Sequence, residues 1–264
     1  MLSKHKRKSV IVGFITVFLC LLLLVASGTI LFFIQQQAGK ATSSSRQIAT
    51  PAVTMTKIAR SPTTPLVDQP LFYDNFAGKS KGWSLGNAPG YTRTIANSTL
   101  KLANSNHNIL TESLPTDTIF TDFMVTMSFT VDKADKDDSV GLYLRGDSNL
   151  DHDYRVDIYG DNTYAISKEL LNANKTPIVN TLVNPSSTSA LHPTGQQNTL
   201  TVMMKGPLLV LLINTRIISS VTDTDYTAGQ IALFVQNSPT SSGVEASFRS
   251  VAVYPAPMHL PSTN

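Results

Sequence analysis

From residue 71 to residue 254, short runs in which apolar side chains fall at every second position restrict the chain to a β architecture. Phe123, Val125, Met127, Phe129 and Val131 alternate with Met124, Thr126, Ser128 and Thr130. Val140, Leu142 and Leu144 alternate with Gly141, Tyr143 and Arg145, and Tyr154, Val156 and Ile158 with Arg155, Asp157 and Tyr159. A period of two puts successive side chains on opposite faces of a strand, so each run reads as a half-buried strand. Gly160-Asp161-Asn162 is a turn that folds this last strand back onto Thr163 to Lys168 as a hairpin. Leu200, Val202 and Met204 make a further alternating set, and Lys205-Gly206-Pro207 turns it into Leu208 to Ile213, whose unbroken apolarity predicts a buried strand. Asn214-Thr215 turns again into Arg216 to Val221, Gly229 opens Gln230 to Gln236, and Val244 to Tyr254 closes the series. No long segment carries a helical period. Many short strands at this spacing predict an all-β sandwich or barrel.

The chain ahead of these strands is of another kind. Val10 to Ile34 holds no charged residue. At about 1.5 Å per residue a helix over it reaches about 37 Å, more than the roughly 30 Å hydrocarbon core of a bilayer. This predicts a transmembrane helix. A cleavable signal peptide needs a shorter apolar region ending at small residues, and here the run continues past Ala26-Ser27-Gly28 through Ile30, Leu31, Phe32, Phe33 and Ile34. Lys4, Lys6, Arg7 and Lys8 precede the stretch, and the first basic residue after it is Lys40. Positive flanks stay in the cytoplasm, so the expected arrangement is a cytoplasmic tail over 1–9, a single span over 10–34 and an extracellular remainder in the cell membrane. Residues 35–68 are rich in Ser, Thr, Ala, Gln and Pro without period, which predicts a flexible linker spanning about 30–35 Å. The domain is expected over 69–255, with a disordered tail over 256–264.

Charge and cysteine content exclude several functions. Of 21 basic residues eight precede residue 69, and of 18 acidic residues only Asp68 does. The domain therefore carries 13 basic against 17 acidic residues, a net of about −4, whereas the whole chain is formally +3. Nucleic-acid binding needs clustered positive charge on the domain itself, so no nucleic-acid partner is expected. Cys20, the only cysteine, lies in the apolar stretch, which leaves the domain without a disulfide or thiolate metal site.

Three segments together resemble a known family. They are Tyr73-Asp74-Asn75-Phe76 with Gly82-Trp83; Val140-Gly141-Leu142-Tyr143-Leu144-Arg145-Gly146; and Tyr154-Arg155-Val156-Asp157-Ile158-Tyr159 followed by Gly160-Asp161-Asn162-Thr163-Tyr164. With Asn198 to Val202, Asn214, Gly229 to Phe234 and Ser247-Phe248, they resemble a concanavalin A-like (laminin G-like) jelly roll over roughly 69–255. The nearest flavour is the bacterial subgroup related to 3-keto-disaccharide hydrolase domains. The resemblance implies a two-sheet jelly-roll sandwich preceded by the anchor and linker. It carries no activity across by itself. Relatives often place an acid after the last-strand Phe, near the early Asp, where calcium can sit. Here Arg249 follows Phe248, although Asp74 is present. Relatives also often have Gly where this chain has Asn214-Thr215, and Asn tolerates left-handed backbone.

In such a sandwich one face of each strand fills the core and the other lines a groove on the curved sheet. If Val140, Leu142, Leu144, Val156 and Ile158 point inward, then Tyr143, Arg145, Arg155, Asp157 and Tyr159 share the outer face, as a candidate ligand-binding set. Aromatic rings cover apolar sugar faces and charged groups bond hydroxyls strongly, so carbohydrate is the expected ligand class. The competing reading is an ordinary solvated face with an Arg–Asp pair. Trp83 is expected to plug the end of the sandwich. Asp147, Asp151 and Asp153 crowd one loop beside His152 and, with Asp74, are weak calcium candidates; their spacing lacks the Gly and Glu of an EF-hand. No zinc spacing links the histidines. The three glutamates, Glu112, Glu169 and Glu245, are far apart in sequence, and the Glu-x-Asp-x-x-Glu strand motif of jelly-roll glucanases is missing. Glycoside hydrolysis needs two carboxyls flanking the bond. The leading expectation is thus a noncatalytic, membrane-anchored module that binds glycan or another surface ligand. A glycoside-processing enzyme and a structural or sensory ectodomain that binds a protein are the alternatives.

Overall fold

A computed structural model describes residues 69–259 except 79–81, 173 and 175, all within the unit Ser61–Asn264. The span expected over 10–34 and the linker over 35–68 lie outside the described residues. Fifteen strands and no helix occur among them. The first five are β1 (Phe72–Asp74), β2 (Gly86–Ala88), β3 (Tyr91–Ala96), β4 (Thr99–Asn104) and β5 (Ile109–Ser113). Then follow β6 (Phe123–Lys133), β7 (Ser139–Gly146), β8 (His152–Tyr159), β9 (Thr163–Leu171) and β10 (Pro177–Ser187). The last are β11 (Gln197–Lys205), β12 (Leu208–Ile213), β13 (Arg216–Thr222), β14 (Gln230–Gln236) and β15 (Val244–Pro255).

All pair antiparallel in two sheets. The larger runs β13-β12-β11-β6-β15-β4-β3-β2, with β1 beside β15 in line with β4; the smaller, of six strands, runs β10-β9-β8-β7-β14-β5. Val125, Met127, Phe129, Leu200, Val202, Phe248 and Val251 from the larger sheet meet Val140, Leu142, Leu144, Val156, Ile158, Ile231 and Leu233 from the smaller in one buried core. The alternating runs thus face inward as the pattern requires. β1 to β5 and β10 are strands that the alternating runs did not delineate; in β10, Pro177-Ile178-Val179-Asn180 alternates poorly, and as an edge strand with five exposed residues at its start it has no inward stripe to reveal it. Leu208 to Ile213 is a strand, but Leu208 and Leu212 are only half-buried, because β13 beyond it is an edge.

The turns follow local chemistry. Asn162 closes the β8–β9 hairpin with φ of +64°, and Asn214 and Thr215 close β12–β13 with φ of +48° and +70°. Asn214 also bonds around itself: Oδ1 accepts from Thr199 N at 2.7 Å, and Nδ2 donates to Ala190 O at 2.7 Å. Trp83 is buried against Phe72 and Phe76 at the sandwich end. Arg249 falls at the register shift of β15 between Phe248 and Ser250.

Candidate functional site

The larger sheet keeps the outward half of its alternation half-exposed; β6 alternates strictly between buried and half-buried positions through Val131. The smaller sheet does not. β7 is buried at all eight positions and β14 at five in a row. Its outer face is therefore a packed polar layer, where the sequence allowed for an ordinary solvated one.

Register sets who meets whom on that face. One cross-strand row runs Ser113, Ala232, Tyr143, Arg155, Ser167. The next runs Thr111, Phe234, Gly141, Asp157, Ala165. Gly141 admits no side chain: a Cβ there would lie 1.8 Å from Val156 O and 2.9 Å from the Phe234 ring. The Phe234 ring thus lies over the strand, and it packs on Tyr143 with centroids 5.0 Å apart.

Arg155 crosses this aromatic floor. Its guanidinium carbon is 4.6 Å from the Phe234 centroid and 5.7 Å from that of Tyr143, distances at which ring faces attract a cation. Nε and Nη2 donate to Asp157 Oδ1 at 3.0 and 2.6 Å, and Nη2 also donates to Gln236 Oε1 and, at 3.4 Å, to Ser139 Oγ. Ser139 Oγ donates to the same Asp157 oxygen at 2.7 Å. Burial would lower the Arg155 pKa, but Asp157, by charge and hydrogen bond, together with Tyr143 and Glu169, outweighs it and keeps the guanidinium ionised. Burial pushes the Tyr143 hydroxyl up.

One step along the strands, Asp153 stands opposite Glu169. Asp153 is fully buried and neither carboxyl oxygen has a hydrogen-bond partner; Glu169 Oε2 also has none and sits 3.7 Å from Arg155 Nη1. Burial, then the charge of Glu169, push Asp153 up to about 9, and burial raises Glu169 as well. Two adjacent carboxyls in a dry site cannot both ionise cheaply. Among the described residues six buried side-chain polar atoms lack a hydrogen bond, and three belong to this pair. Two more, Arg93 Nε and Glu112 Oε2, face each other at 3.2 Å. A groove of about 330 Å³ on the larger sheet, lined by Gly90, Tyr91, Lys133 and Glu245, contains none of them.

The sequence-predicted set divides. Tyr143, Arg155 and Asp157 are brought together. Tyr159 shares their face but lines a separate pocket of about 250 Å³ with Lys136, Asp137 and Asp161; burial pushes its hydroxyl up to about 12. Arg145 is not on the face. It takes a left-handed backbone with φ of +53°, at the point where the β14 register shifts between Gln230 and Ile231. This irregularity turns the side chain to the sandwich end, where Nε and Nη2 donate to Thr121 O at 3.0 and 2.6 Å and Nη1 to Gly206 O and Tyr226 O at 2.9 and 3.0 Å. The calcium candidates do not converge. Asp74 accepts from Phe76 N and Trp83 Nε1, Asp147 accepts from Asp151 N, and Asp153 joins the outer face. Among the described residues no three acids or histidines are placed to hold a metal.

Sequence reasoning missed Glu169, Ser139, Phe234 and Gln236. The hairpin at 160–162 carried a signal for Glu169, since a tight turn there counts back to Asp153. Nothing local joins β14 to β7.

The sequence matches no family model and no curated protein. Solved structures share its fold. The carbohydrate-binding module CBM66 from Bacillus subtilis superposes with a TM-score of 0.50 at 15% identity, covering 66% of this chain and 95% of its own. A Bacillus subtilis protein of unknown function with a galectin-like fold gives 0.51 at 14%, covering 71% and 97%. A structure from work on endo-acting O-glycanases that human gut microbiota use to initiate mucin breakdown gives 0.52 at 12%, covering 72% and 100%. The domain is a two-sheet, galectin-like or concanavalin A-like jelly-roll sandwich.

Proposed function

We propose that this protein is a noncatalytic carbohydrate-binding module, held outside the cell by the span at 10–34, and that the outer face of the six-stranded sheet receives the glycan. One observation carries the site: a buried guanidinium–carboxylate pair, Arg155 and Asp157, lies on aromatic rings beside Asp153, whose two carboxyl oxygens lack hydrogen-bond partners. A sugar offers apolar C–H faces and hydroxyls that both donate and accept. Rings take the first, and charged groups take the second through strong, charge-assisted bonds. Buried polar atoms left unmatched cost about 1–3 kcal/mol each, which a ligand hydroxyl can recover. The likeness in fold to a carbohydrate-binding module supports this reading. The anchor rests on the uncharged run Val10 to Ile34 and the basic residues before it.

Glycan-array screening of the full-length chain in detergent, followed by calorimetry, tests the site. Binding is expected, and Arg155→Gln is expected to weaken it at least tenfold while circular dichroism stays β-type. Absence of binding across the array removes the glycan claim. Protease shaving of intact cells tests the anchor: the domain is expected to be released, and its survival would place it elsewhere.

The second reading is glycoside processing. Asp153, held protonated near neutral pH beside Glu169, has the proton a general acid needs. That reading requires saccharide turnover that Glu169→Gln abolishes.

A further inference from the structure

We propose that the Asp153–Glu169 pair receives the protonated amine of an amino sugar, so that the glycan bound here carries free rather than acetylated amines; this rests on the glycan reading above. One cation, Arg155, reaches the Glu169 side of the pair, and the two carboxyl oxygens of Asp153 have no hydrogen-bond partner. On a regular strand the residue of β7 beside Asp153 would be Arg145, because Leu144 pairs with Tyr154. The left-handed backbone at Arg145 sends that guanidinium to Thr121, Gly206 and Tyr226 instead. The next residue, Gly146, has no side chain; a Cβ there would be 3.5 Å from Asp153 Cβ and 2.7 Å from Leu150. Arg155 bonds Asp157 at 2.6 Å and pairs with Glu169 at 3.7 Å.

The chemistry of the pair suits an ammonium better than a hydroxyl. A protonated carboxyl donates as well as accepts, whereas the ionised pair offers acceptors only. Between them they can take the three hydrogens of one ammonium, and each charge lowers the cost of the other. The aromatic floor of Tyr143 and Phe234 lies next to the pair, buried beneath the Arg155 guanidinium. Asp153 is sealed from solvent, and Leu150, packed on Tyr143, Ala232 and Phe234, borders the same spot. Entry therefore requires the loop carrying Leu150 to move aside. The titratable groups facing Asp153 are Glu169 on β9, Arg155 and Asp157 on β8, Tyr143 on β7, Tyr226 after β13, and Asp147 in that loop. Since burial and Glu169 keep Asp153 protonated, binding an ammonium expels a proton.

Calorimetry of the full-length chain in detergent tests this with two probes, the β-1,4-linked glucosamine tetramer and its fully N-acetylated counterpart, in two buffers of different ionisation heat. The glucosamine tetramer is expected to bind at least tenfold tighter, with a heat that depends on the buffer. Asp153→Asn with Glu169→Gln is expected to erase that preference, and Glu169→Gln alone serves if the double variant does not fold. Equal affinity for the two probes overturns the inference and leaves the glycan reading intact. A preference that persists in the variants also overturns it, as attraction of a polycation to an acidic domain. No binding of either probe, nor of any neutral sugar on the array, overturns both.

Discussion

Arg145 Nη2 donates a 2.6 Å hydrogen bond to Thr121 O, and so a residue of β7 is fastened to the segment that leads into β6 in the opposite sheet. The same guanidinium bonds Gly206 O and Tyr226 O, and at 1% exposure it is among the most buried large side chains of the domain. Arg145→Met would leave three carbonyls without these donors, at about 1–3 kcal/mol for each buried group. Urea unfolding is expected to show a loss of about 3 kcal/mol or more. Arg145→Lys keeps the charge but not the planar fork, and is expected to recover less than half.

Asp153 gives a pH dependence of unusual sign for a carboxyl. Its pKa in the folded chain, about 9, lies above the ordinary range because burial and Glu169 disfavour its ionised form. A raised group stabilises the fold fully below its unfolded pKa and ceases to do so as pH rises through the folded one. Wild-type stability is therefore expected to fall between about pH 4 and pH 9. Asp153→Asn removes the titration. It is expected to melt at least about 5 °C above wild type at pH 8, with the gap closing near pH 4, as measured by thermal unfolding across pH.

Asp138 behaves oppositely. Burial would raise it, but Ser238 N at 2.7 Å, Ser241 Oγ at 2.6 Å, Asp135 N at 2.8 Å and Asn237 Nδ2 at 3.3 Å donate to its carboxylate and hold it below its ordinary value. These bonds tie the β6–β7 loop to the one after β14. A lowered group stabilises above its unfolded pKa and fails as pH falls through the folded one. Asp138→Ala is expected to cost about 3 kcal/mol or more at pH 7, and to weaken the wild-type loss of stability on acidification below about pH 4.

Thr215 is a β-branched residue at φ of +70°, where a side chain is strained. Thr215→Gly is expected to stabilise the chain by about 1 kcal/mol in urea unfolding. Asn214→Gly frees the same backbone but forfeits the bonds to Thr199 and Ala190. It is expected to destabilise by about 1 kcal/mol or more.

By itself the sequence determined the strands with a clear alternation, from β6 to β9 and from β11 to β15, and which face of β6 to β8 enters the core, because a strand's pleat translates position directly into side. Val140, Leu142 and Leu144 point inward, and Tyr143 outward, as their alternation requires. It also determined the β8–β9 hairpin, and with it the facing of Asp153 and Glu169, since a tight turn fixes register. Only the tertiary structure decided that Arg145 leaves the outer face, because a left-handed residue at a register shift reverses the pleat and local alternation cannot reveal it. Only it decided that Phe234 and Gln236 join Arg155, because β7 and β14 pair across more than eighty residues of chain, and that pairing is set by the packing of the whole sandwich rather than by any neighbour in sequence.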